Sequence, residues 1–147
     1  MMNRRDFLNS CGYLCFGGIA MAGLAQSCAN SRFISGELID TYIYVNVADF
    51  QISKKGKTAY HSHLIIQNEK LKFPIALFRF KETEFSALLM QCTHQGAELQ
   101  VFGDKLVCNA HGSEFSKEGN VEQGPAETSL RSFPVIIESN KLRISLI

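Results

Sequence analysis

Tryptophan is absent from this 147-residue chain, and proline occurs only three times. That scarcity, with an ordinary 46% apolar and 20% charged composition, excludes collagen-like and disordered classes. Excess charge is missing too: a formal net charge of +1 argues against a nucleic-acid binder, which carries a basic excess or patch. No internal repeat or low-complexity tract occurs, and nothing resembles a hydrolytic triad, a phosphate loop or a mononuclear iron site. The length allows one domain and a short accessory segment.

Cysteine is scarce and unevenly placed. Cys11, Cys15 and Cys28 lie in or at the end of an apolar N-terminal run, so a domain without that run keeps only Cys92 and Cys108. Two cysteines in an exported domain could form one disulfide. Here, however, each heads a short stretch that also offers an imidazole: Cys92-Thr93-His94-Gln95-Gly96 and Cys108-Asn109-Ala110-His111-Gly112-Ser113. Thirteen residues separate His94 from Cys108. Two Cys-His pairs brought together supply four ligands, enough to close a metal site. A structural Cys2His2 zinc site takes the same donors, although zinc sites more often pair like with like, as C-x-x-C and H-x-x-x-H. His61 and His63 share no such cysteines and read as surface residues facing one side of a strand.

The N-terminus has its own pattern. Arg4 and Arg5 precede Asp6, Phe7 and Leu8, and an apolar stretch rich in Gly and Ala follows from about Cys11 to Ala25. A basic start, a short apolar stretch and small residues near its end are the layout of an export signal. The segment resembles a twin-arginine (Tat) signal, which sends already folded proteins across a membrane. At about fifteen residues the run is shorter than the ~20 that span a bilayer comfortably. Leu24-Ala25-Gln26-Ser27-Cys28 resembles a lipoprotein processing site, with Leu one step further from the cysteine than is usual. Acylation of Cys28, plain cleavage nearby and a retained anchor helix are the three outcomes expected of residues 1–27. Cleavage before Cys28 leaves thirteen basic and thirteen acidic residues. A neutral domain needs lipid or helix, not charge, to stay on a membrane.

Residues 28–36 are small and polar and read as a tether. From Glu37 the chain is strand-like almost throughout, with no 3.6-residue apolar period sustained over three turns. Leu38–Val47, Leu64–Gln67, Ile75–Phe80 and Phe85–Gln91 are rich in β-branched and aromatic residues. Ser53–Lys57 reads as a solvated turn, and Pro134–Ile137 and Leu142–Leu146 read as a closing hairpin around Ser139-Asn140. Gly103-Asp104 between strand-like runs is a hairpin signal, and a hairpin there returns Cys108 to the side of His94. The expected fold is all-β, a small antiparallel sandwich or barrel over residues 37–147 with an inserted hairpin subdomain at about 91–126.

C-x-H followed by C-x-x-H, with Gly96 and with Gly112-Ser113-x-Phe115, resembles the two cluster loops of the Rieske [2Fe–2S] family. Gly124-Pro125-Ala126 with Leu130 resembles its third loop. The resemblance implies one [2Fe–2S] cluster, with Cys92 and Cys108 on one iron and His94 and His111 on the other. Thr93, Gly96, Gly112, Ser113, Phe115 and Pro125 would surround it, the glycines allowing tight turns and Ser113 donating its hydroxyl to the cluster. Two departures stand out. Positions where quinol-oxidising relatives carry a bridging disulfide are Ala97 and Ala110 here, and Phe115 replaces their usual Tyr. Both imply a less braced cluster and a potential below the top of the family range. The implied role is one-electron transfer within or toward a membrane-associated respiratory chain, on the periplasmic side, with a redox protein or quinol as partner. The alternatives are a ferredoxin-type carrier serving an oxygenase and, more remotely, a zinc-bound binding module. A domain this small is expected to serve as an electron carrier or oxidoreductase subunit, not as a stand-alone enzyme.

Overall fold

A computed structural model describes residues 31–54 and 57–147. The export signal with Arg4 and Arg5, the acylation candidate Cys28 and the turn residues Lys55-Gly56 lie outside the described residues. Fifteen short strands and one 3-10 turn, Val47–Phe50, make up the regular structure described, so the all-β expectation holds. The strands are β1 (Arg32–Ile34), β2 (Glu37–Ile39), β3 (Tyr42–Asn46), β4 (Gln51–Lys54) and β5 (Lys57–Tyr60). Then come β6 (His63–Ile66), β7 (Ile75–Arg79), β8 (Phe85–Leu89), β9 (Gln100–Phe102) and β10 (Lys105–Val107). β11 (Glu114–Ser116), β12 (Val121–Gln123), β13 (Ser132–Phe133), β14 (Val135–Glu138) and β15 (Lys141–Ser145) complete the chain.

A five-stranded sheet, β1-β6-β7-β8-β13, forms the middle layer. On one face packs the terminal sheet β14-β15-β3-β2, and on the other the sheet β12-β11-β10-β9 that carries both Cys-His stretches. Side-chain alternation divides the core between them. Leu64, Ile66, Ile75 and Leu77 meet Ile43, Val45, Leu142 and Ile144 of the terminal sheet. Ile65, Ala76, Phe78 and Leu88 point the other way, among Val101, Leu106, Phe115 and the two cysteines. Burial on both faces explains why β6 and β7 read as unbroken apolar runs instead of alternating ones. Each large side chain fully removed from water there, such as Phe78 or Leu106, contributes about 1.5–3 kcal/mol of transfer free energy.

Three local readings are corrected. Leu38–Val47 is not one strand: Asp40, in the left-handed region at φ +51°, turns the chain so that Ile39 pairs with Tyr42. Asp tolerates that conformation better than most residues, which is why the turn escapes a reading based on apolar content. Arg32–Ile34, within the stretch expected to be tether, instead forms β1 and pairs with β6 as the one parallel partner in that sheet. His63 is not a surface residue. It is 8% exposed, with Nε2 3.1 Å from Ser31 Oγ and Nδ1 3.2 Å from Ser62 Oγ. Burial and the neighbouring His61 hold its pKa below the ordinary value. The Gly103-Asp104 and Ser139-Asn140 hairpins form as expected, joining β9 to β10 and β14 to β15.

Candidate metal centre

The two Cys-His stretches occupy two hairpin tips built to one plan. In the first, Gln91 pairs with Glu98, the Gly96 N–H donates to the Cys92 carbonyl, and the Cys92 N–H donates to the Ala97 carbonyl. In the second, Val107 pairs with Glu114, Gly112 N–H donates to Cys108 carbonyl, and Cys108 N–H donates to Ser113 carbonyl. All four backbone bonds are 2.8 Å. Each tip needs its fifth residue in the left-handed region, Gly96 at φ +74° and Gly112 at φ +80°, which only glycine enters without strain. Cysteine and glycine are thus fixed at the same spacing in both tips, C-x-x-x-G, while the histidine sits second after one cysteine and third after the other.

Descending β9, the Gly103-Asp104 turn and rising β10 bring the tips to one end of the domain. There the His94 and His111 rings stand edge to face with centroids 4.9 Å apart. The cysteines face the opposite way, 1% and 0% exposed, packed with Leu106, Phe115 and Leu130 in the core shared with the middle sheet. His94 is half-buried and His111 exposed. In the tips and the third loop Thr93, Gln95, Asn109, Ala110, Gly112 and Pro125 are exposed and uncharged, and Glu127 of that loop is exposed and acidic. Charge is neutralised further down the sheet, where Lys105 bridges Glu114 at 3.0 Å and Glu122 at 2.8 Å. Those two carboxylates, Glu122 foremost, hold the Lys105 amine well above the ordinary lysine range.

Three observations test what these donors could hold. Cys92 and Cys108 are free thiols, which overturns the single-disulfide alternative. His94 Nδ1 is buried and has no hydrogen-bond partner, a ring nitrogen left for a ligand bond. Among the described residues, no three metal-capable side chains converge as one ion requires. A [2Fe–2S] cluster spreads its donors over two irons, two cysteines on one and two histidines on the other.

The family model of the Rieske [2Fe-2S] domain matches residues 45–134, more than half of the chain. The chain belongs to the Rieske [2Fe–2S] domain family. Its cofactor is accordingly one [2Fe–2S] cluster, and its general role is Rieske-type electron transfer. No curated protein matches the chain in sequence at a significant level. Among solved structures, the cyanobacterial plasma membrane Rieske protein PetC3 from Synechocystis PCC 6803 is 26% identical, with 57% of this chain and 86% of that chain covered at a TM-score of 0.50. The quaternary ammonium Rieske monooxygenase CntA is 17% identical and shares the fold at a TM-score of 0.55, covering 73% of this chain but 31% of that one.

The other residues that the sequence of this Rieske domain singled out have these positions. Ser113 is fully buried, and its Oγ accepts a 3.0 Å hydrogen bond from the Ala126 N–H, which leaves the hydroxyl proton free to donate. Phe115 is fully buried opposite Leu106. Pro125 lies exposed on the third loop, whose Ala126 and Leu130 are buried beside the cysteines. Thr93 Oγ1 donates to the Thr128 carbonyl at 2.7 Å. Gln123 was not legible as a site residue; its Nε2 donates to the Gly112 carbonyl at 3.0 Å. A glutamine at a strand end carries no sequence signal, and only the register of β11 with β12 brings it over the second tip. No helix among the described residues is long and apolar enough to cross a membrane.

Proposed function

We propose that this chain is an exported, membrane-associated Rieske electron carrier in which Cys92 and Cys108 hold one iron and His94 and His111 the other. The observation that carries this reading is the polarity of the site: both cysteines are sealed in the core, and the histidine pair stands at its outer side, with His111 exposed. When bound, the cluster supplies a one-electron store. The chain's own residues do the rest. Core packing around the cysteines excludes water from the thiolate side, and the exposed His111 edge gives a partner's redox centre the shortest approach. The Ser113 hydroxyl, free to donate, favours the more negative reduced state and raises the potential. Phe115 offers no such donor. Likeness to a cyanobacterial plasma membrane Rieske protein, together with Arg4-Arg5 and Cys28, supports export and attachment through a lipid or an N-terminal helix.

A second reading, a ferredoxin-type carrier for an oxygenase, draws on Ala97 and Ala110, which leave the tips without a bridging disulfide. A redox titration of the purified protein at several pH values separates the two. A potential near the upper end of about −150 to +300 mV, falling with pH around neutrality, supports quinol oxidation. A low, pH-independent potential supports the ferredoxin role. A colourless, EPR-silent protein carrying one zinc ion refutes both.

A further inference from the structure

The two sides of the site are held by different means. Each cysteine is fixed by two backbone bonds of its own tip and by close packing in the core. The imidazoles are held less directly: His111 is exposed, and the half-buried His94 stands edge to face with it. Nor does a covalent bond link the tips, because Cys92 and Cys108 are the only cysteines described and both are free. The segment from Gln123 to Thr128 reaches the residues beside the two histidines. Its Thr128 carbonyl accepts from Thr93, the residue before His94. Its Gln123 amide donates to the carbonyl of Gly112, the residue after His111. The third bond, from Ala126 N–H to Ser113 Oγ, anchors the middle of the segment in the core.

We propose that this segment is a clamp that orients the two imidazoles, with Thr93 and Gln123 as positioning residues, one for each histidine. The proposal rests on His94 and His111 being cluster ligands. Thr93 and Gln123 are both exposed, so their bonds compete with water and add little to global stability. Their effect is local: one ties the side chain of the residue before His94, the other the carbonyl of the residue after His111. Removing one bond therefore loosens one imidazole and leaves the fold intact.

The test uses the full-length protein with its cluster and compares Thr93→Val, Gln123→Met and the conservative Thr93→Ser. Pulsed EPR of the reduced protein reads the nitrogen couplings of the two imidazoles, and bleaching against a chelator reads cluster loss. Thr93→Val is expected to shift one nitrogen coupling and Gln123→Met the other, each speeding cluster loss by about two- to fivefold, the worth of one exposed hydrogen bond. Thr93→Ser, which keeps the hydroxyl, restores wild-type behaviour. Unchanged couplings overturn the clamp, including the case in which only the melting temperature falls, since that is a structural role alone. If His94→Ala and His111→Ala keep the wild-type couplings, the ligand assignment fails instead, and the clamp with it.

Discussion

Replacing Ser113 by Ala isolates the one buried hydroxyl at the centre. Ser113 is fully buried and Ala126, whose N–H it receives at 3.0 Å, is 4% exposed. The substitution opens almost no cavity, so its cost comes from a buried N–H left without a partner, about 1–3 kcal/mol. For a domain of this size each kcal/mol corresponds to roughly 3–6 °C in melting temperature. A fall of about 3–18 °C in a thermal melt is expected. The second effect is on redox chemistry. The hydroxyl accepts from Ala126, so its own proton is free for the cluster, and donation to a charged acceptor is worth about 1.5–3 kcal/mol. If about half of that distinguishes the reduced from the oxidised state, the one-electron potential drops by ~30–65 mV, since about 59 mV corresponds to about 1.4 kcal/mol. Voltammetry of wild type and Ser113→Ala at one pH reads this directly. A potential within about 10 mV of wild type would refute donation to the cluster, and an unchanged melting temperature would refute the Ala126 contact.

Other consequences are equally open to measurement. His63 is held below its ordinary pKa near 6.5 mainly by burial, so the unfolded state takes up its proton first. Stability is then full above that value and declines as pH falls through it; urea midpoints of wild type should drop with acidification more than those of His63→Gln. Gly36 sits at φ +62°, where an added Cβ would lie 2.8 Å from Ile43 Cγ2 and 3.2 Å from Ile66 Cγ2. Gly36→Ala should cost about 2–4 kcal/mol by urea unfolding, combining backbone strain with overpacking. Gly103→Ala, at φ +65° with nothing within 4 Å, should cost only the strain, about 1–2 kcal/mol. Equal losses would show that crowding between the sheets is not the cause. Changing Arg4 and Arg5 together to Lys should stop mature protein from appearing outside the cytoplasm; undiminished export excludes dependence on the twin arginines.

The centre of the molecule was unusually legible because its determinants are local. A cysteine, a histidine and a glycine within five residues specify a tight tip and its donors, whatever the rest of the chain does. The Gly103-Asp104 turn, also local, is enough to place the two tips side by side. Asp40 shows the limit of this reasoning: its neighbours are apolar and β-branched, and nothing but its own backbone freedom marks the turn.

What the sequence by itself determined, then, are the two Cys-His stretches, their glycine-closed tips, the hairpin between them and the all-β class, since each depends on residues a few positions apart. Tertiary structure decided the rest. Whether Leu64-Ile65-Ile66 is buried on one face or two depends on which sheets cover it, and His63 became a core residue only because β1 and Ser31 closed over it. Gln123 and Thr93 acquired their place beside the histidines through contacts 11 and 35 residues apart in the chain. Such contacts are set by which surfaces bury most apolar area together, and no short stretch of residues carries that information.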